Sequence, residues 1–267
     1  MGPYAWPLDA ETLAAPLFIA AYVWSQRRWP ASSGRRIAFG ASQILLLAAF
    51  ATPLHTIAVR YLLSAHLLQN VVIAEWAPGL AVVGIAPTLA RHFRPHPLIT
   101  LPLWLATYFV WHVPRIYDAA LSHQHSLLHL EHATYFAAGV LMWWPVVHGR
   151  WPDGIKALYL FAAFVLASPL GLLLALIGRP VYGYYVHAPR RLWGLSRLTD
   201  QQIAGLTMAA EQAVVFFAVF AVYFLRFLRT EAIADAWHAP GSRLSSGSWT
   251  SAPPSRPAED ARPSNGR

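Results

Sequence analysis

The sequence predicts an all-α integral membrane protein, a bundle of about seven transmembrane helices with a disordered C-terminal tail. Three observations carry that prediction. Of 267 residues 56% are hydrophobic and only 12% charged, where a soluble domain carries about 25%. Mean hydropathy is +0.39. Seven apolar runs, at 12–24, 37–54, 60–86, 98–114, 126–148, 155–178 and 202–228, come close to the roughly 20 residues that cross a bilayer core.

Proline-rich punctuation sets the runs apart. Trp29-Pro30 ends the first, Arg94-Pro95-His96-Pro97 precedes the fourth, Trp151-Pro152 precedes the sixth and Gly178-Arg179-Pro180 follows it. The third run is too long for one straight span. Its Ala77-Pro78-Gly79 is expected to kink or break it, with neighbouring helices covering the freed carbonyls. Pro169 and Gly171 are expected to do the same in the sixth. Thr199-x-x-Gln202 reads as a capping box opening the seventh, where Asp200 favours the helix N-terminus. Residues 1–238 form the predicted transmembrane domain. Residues 239–267 are rich in Pro, Ser and Arg, cannot bury a core, and are expected to be a disordered cytoplasmic tail.

The formal charge is +8, but the arginines fall in short loops and form no continuous basic face. Nucleic acid is therefore not an expected partner; membrane lipid is. One alternate set of loops holds Arg27, Arg28, Arg35, Arg36, Arg91, Arg94, Arg150, Lys156, Arg226 and Arg229. The other holds Arg60, Arg115, Arg179, Arg190, Arg191 and Arg197. The positive-inside rule then places the N-terminus outside and the C-terminus in the cytoplasm. No Lys or Arg precedes the first apolar run, the wrong order for a cleavable secretory signal. The chain lacks cysteine, so a metal would need His, carboxylate or amide ligands.

Residues 111–148 hold the densest chemistry. His112, His123, His125, His129 and His132 lie within 21 residues, around a polar loop between two apolar runs. Neutral imidazole ligates Zn, Cu, Fe and Ni. His129 and His132 are separated by about 300° of helix and share a face, enough for two ligands of one site. Glu131 points away from that pair and reads as a supporting contact, while His123 and His125 read as solvated. Under the predicted orientation His66, His112, His129 and His132 all fall in the outer leaflet. Glu75 and Glu211 lie deeper and are functional candidates as intramembrane carboxylates. Glu211 needs a partner that the sequence does not name. Tyr182, Tyr184, Tyr185 and His187 suit either a lid over the outer face or an interfacial aromatic belt.

Three blocks resemble one family. SAHLLQNVVIAEWAPGL, WHVPRIYDAAL with LLHLEHATYFAAGVLMWWPVV, and APRRLWGLSRLTDQQIAGLTM occur in the order and spacing of the multi-span CtaG family of cytochrome c oxidase assembly factors, associated with caa-type oxidases. The resemblance covers about residues 12–228. It implies a seven-helix protein of the bacterial plasma membrane, oxidase subunits as partners, and a role in copper handling. His66, His112, His129, His132, Asp200 and Gln201 match the family's polar positions; Asn70 stands where the family usually has histidine. The function expected from residues and resemblance together is a non-enzymatic assembly factor that holds a copper ion in its outer leaflet for the oxidase. His112, His129 and His132 are the expected ligands, with His66 a weaker fourth. The alternative is a copper or proton transporter using Glu75 and Glu211. A metallohydrolase is disfavoured, since no H-E-x-x-H occurs.

Overall fold

A computed structural model of the chain describes residues 2–7, 10–188 and 191–238. Every regular element among them is helical. The chain divides into Met1–Phe227 and Leu228–Arg267, and the second unit is described only as helix running to His238. The predicted tail at 239–267 lies outside the described residues.

The helices are α1 (Ala14–Gln26), α2 (Ser33–Phe50), α3 (Pro53–Arg60), α4 (Leu63–Gly84), α5 (Pro97–Trp111), α6 (Pro114–Ser122), α7 (His129–Val147), α8 (Asp153–Leu176) and α9 (Arg197–His238). Each predicted apolar run thus becomes a helix. By length and composition three of them can cross a membrane: α4, α8 and the Arg197–Ala232 part of α9. A fourth span results if α2 and α3, bent by 50°, are taken as one. The bend has a local cause. Pro53 occupies the first turn of α3, and Thr52 accepts from the Leu54 N–H at 3.2 Å while donating to the Ala48 carbonyl at 2.7 Å. Leu98, Leu176, Leu206 and Val214 are among many large apolar side chains facing outward, as lipid contact requires.

Helix α4 is central, packed against both α2 and α7. It is not broken at Pro78. Val72–Trp76 instead widens into one π turn, in which the Ala77 N–H bonds back to the Val72 carbonyl, a known way for a helix to absorb a local insertion. Trp143 of α7 donates to the Glu75 carbonyl at 2.9 Å, and Ser42 of α2 donates to the Ala77 carbonyl at 2.7 Å. Those side chains tie α7 and α2 to the backbone on either side of Pro78. Gly139 of α7 allows the closest approach: a Cβ there would strike the Ala74 carbonyl oxygen and sit 2.6 Å from Pro78 Cγ. Apolar packing between membrane helices relies on such small-residue contacts, because lipid offers no hydrophobic driving force. Pro169 likewise lies within an unbroken α8.

The start of α9 corrects the predicted capping box. The helix opens at Arg197, and Ser196 Oγ accepts from the Thr199 N–H at 3.0 Å, so the cap sits three residues before Thr199. Asp200 is thereby freed for another task.

Candidate functional site

Asp200, 1% exposed, caps α4 rather than its own helix. Its carboxylate accepts from the Leu63 N–H and the Ser64 N–H, both at 3.0 Å, and from Ser64 Oγ at 2.6 Å. Those are first-turn donors that a helix cannot satisfy internally, and a negative charge there also suits the helix dipole. Gln201 beside it holds the preceding loop, accepting from the Val181 N–H at 2.7 Å and donating to the Arg179 carbonyl at 3.0 Å. Asp200 thus fixes the turn of α4 that carries His66, and Gln201 fixes the loop between α8 and α9.

His66 and His132 are both buried, their ring centroids 6.1 Å apart. His132 Nδ1 meets the Glu11 carboxylate at 2.7 Å. A carboxylate only accepts, so Nδ1 carries a proton, and in the neutral ring Nε2 keeps its lone pair. His66 Nδ1 lies 2.8 Å from the Tyr117 hydroxyl. Tyr185 donates to the Ala58 carbonyl at 2.6 Å and contacts Tyr117. The tautomer of His66 sets the donor in its contact with Tyr117, and its Nδ1–H form leaves a lone pair on Nε2. Both Nε2 atoms are buried without a protein partner. Holding one imidazole nitrogen by a hydrogen bond to orient the other is how proteins present histidine to metals.

Glu11 lies in the turn before α1, outside the spans. Burial raises its carboxyl, but the hydrogen bond to His132 and the charges of His132, His129 and His55 outweigh burial and hold it below the ordinary 4.5. His129, partly exposed, stands 4.0 Å from the same carboxylate, so the expected shared face of His129 and His132 is realised around Glu11. A polar cleft of about 340 Å³, lined by His55, Arg60, His125 and His129 among others, opens above it. An apolar groove of about 620 Å³ runs from Glu11, His129 and His132 down between α1, α2 and α7.

His112 lies on the other side of Tyr117, whose ring contacts both His66 and His112. Its Nδ1 faces the Tyr108 carbonyl at 2.7 Å and the Tyr135 hydroxyl at 3.2 Å. Tyr182 donates to the His112 carbonyl at 3.2 Å. Tyr182 and Tyr185 are buried against Tyr117 and roof the histidines, whereas His187 is exposed and takes no part. His123 and His125 are exposed, as expected for solvated residues. Glu131 accepts from Asn70 at 3.0 Å, which gives both residues a structural role. Among the described residues, no three His, Asp or Glu side chains gather closely enough to enclose a metal ion. What the geometry offers is a pair of imidazole nitrogens with positions left open.

The chain matches the family model for the cytochrome c oxidase caa3 assembly factor over residues 17–230. It belongs to that family. No curated protein and no solved structure matches it. As a member of the family this assembly factor acts with cytochrome c oxidase and is a membrane protein.

Two participants escaped sequence reasoning. His55 sits 6.3 Å, centroid to centroid, from His132, with Nδ1 2.8 Å from Gln69 Nε2. Its position just after the second apolar run put it at the same depth as His66, a signal that was available. Glu11 had no such signal, because only the packing of the N-terminal turn onto α7 brings it to His132.

Proposed function

We propose that this assembly factor holds a copper ion near the outer face and passes it to an oxidase subunit. His66 and His132 are the ligands, His55 and His129 line the approach, and Glu11 orients His132. The observation that carries the reading is the pair of buried imidazoles 6.1 Å apart, each with Nδ1 engaged and Nε2 unpartnered. Two donors bind without saturating coordination, so an incoming protein's ligands can displace them one at a time. The donor set fits copper as cargo: imidazole nitrogen favours Cu over Zn in the Irving–Williams order. His112, whose Nε2 is likewise buried without a partner, stands across Tyr117 from His66 and is not needed for the pair. In this reading the seven helices of the apolar runs (α1, α2, α4, α5, α7, α8 and α9) all cross the plasma membrane, with the N-terminus outside and the C-terminus in the cytoplasm, and the protein is not an enzyme.

Metal analysis of the purified protein after equilibration with copper and zinc tests this. The wild type should retain copper over zinc. His66→Ala and His132→Ala should lose it and lower oxidase activity in cells, while His123→Ala should do neither. Glu11→Gln should weaken binding about 10–100-fold. Full copper and normal oxidase in the His132→Ala protein would overturn the proposal.

Transport of copper or protons by way of Glu75 and Glu211 is a second reading. One observation favours it: buried polar side chains occur at a second depth, around those carboxyls. Ion flux into liposomes that depends on Glu75 would support it.

A further inference from the structure

Glu75 and Glu211 are neighbours between α4 and α9. Glu75 projects from the π turn of α4 and is 2% exposed; Glu211 projects from α9 and is 6% exposed. Glu75 Oε2 and Glu211 Oε2 are both buried without a partner, on residues joined by way of Trp76, which follows Glu75. Two ionised carboxylates offer only acceptors, so a hydrogen bond between them requires a proton on one. Trp76 Nε1 donates to Glu211 Oε1 at 2.9 Å, and Gln212, which lines one cavity with Glu75, donates from Nε2 to the Tyr108 hydroxyl at 3.1 Å.

Beside the pair is a cavity of about 10 Å³ lined by Asn70, Glu75, Tyr108, His112, Tyr135 and Gln212 among others. That is close to the volume one water needs, and its walls provide the two to four polar partners such a water requires. Asn70 Oδ1, Glu75 Oε2, His112 Nε2 and Gln212 Oε1, all on buried residues lining it, have no protein partner. The titratable groups facing the pair are Tyr108 and His112 from α5 and its cap and Tyr135 from α7; no lysine or arginine lines the cavity.

We propose that Glu75 and Glu211 form an intramembrane proton-binding site, holding one proton between them and exchanging it through a single water in this cavity. In exchange, the carboxyl O–H bond breaks as its proton passes to the water oxygen, and an O–H bond of that water breaks as its proton passes to the lone pair of His112 Nε2. The return step restores the acid. The site needs no metal, so it stands or falls separately from copper handling.

Infrared spectroscopy of the protein in lipid nanodiscs at neutral pH tests it. The wild type should show a protonated-carboxyl C=O band of one group per chain from this pair. Glu75→Gln and Glu211→Gln should each remove that band entirely, because a glutamine N–H donates to the remaining carboxylate and the shared proton is no longer required. Both changes are isosteric and keep a hydrogen bond, so folding is preserved. Spectra unchanged in both variants would mean an ionised pair and overturn the proposal. Loss of half of a two-group band in each would mean two protons and overturn the sharing. In deuterated buffer, Asn70→Leu, and independently Tyr135→Phe, should slow exchange of the band at least tenfold. Unchanged exchange in both would overturn the cavity as the route.

Discussion

Replacing Asp200 with alanine should loosen the site without touching a histidine. The carboxylate accepts three hydrogen bonds from Leu63 and Ser64. Hydrogen bonds to a charged group contribute about 1.5–3 kcal/mol each, and three at the lower end amount to about 4–5 kcal/mol. The contact with Arg191 at 3.4 Å adds little, since the arginine is 21% exposed and partly solvated pairs are worth about 0–1 kcal/mol. Asp200→Asn retains one acceptor oxygen and should cost about 1–2 kcal/mol, in the range of a weakened helix cap. In a chain of this size each kcal/mol moves the unfolding midpoint by about 2–4 °C. The alanine variant should therefore unfold roughly 10–15 °C lower, the asparagine variant only a few degrees lower, in one fixed detergent. The Ser64→Ala, Asp200→Ala double variant should fall no further than Asp200→Ala alone by more than about 0.5 kcal/mol. An Asp200→Ala midpoint within a few degrees of wild type would show that α4 does not depend on this cap.

Gly139→Ala should destabilise by about 1–3 kcal/mol or more, as overpacking does, because the new methyl meets the Ala74 carbonyl and Pro78; the unfolding midpoint checks it. Trp143→Phe removes the donor to the Glu75 carbonyl and should cost about 1–3 kcal/mol, the penalty of a buried group left unpaired, measured the same way. A reporter fused after residue 230 should be cytoplasmic and one inserted at residue 123 external, and a cytoplasmic signal from the second would remove the shared outer depth of the histidines. Truncation after Ala239 should leave insertion and oxidase maturation unchanged, and an oxidase defect would identify the tail as a docking segment.

Much of the helical plan was legible because apolar length and proline punctuation are local properties. Each of the seven runs became a helix, although only three or four satisfy the length and composition of a span. His66 and His132, expected in one layer from their positions along two apolar runs, have ring centroids 6.1 Å apart. What could not be read was which side chains meet across helices. Asp200 looked like a cap for the helix it begins, and it caps one 137 positions away. Glu211 had no visible partner until α9 lay against the π turn of α4. The π turn itself was hidden because Pro78 permits a break, a kink or a widened turn, and only Trp143 and Ser42 decide among them.

The long reach of Asp200 also orders events during synthesis. Helix α4 emerges early, yet the two backbone donors at its start find their acceptor only when the last helix has been made. Until then the turn bearing His66 is tethered at one end only. A chain that stops short of α9 lacks both Asp200 and Glu211, and so presents neither a fixed His66 nor the paired carboxyls. Completion of the polypeptide is in this way a condition for capping the start of α4.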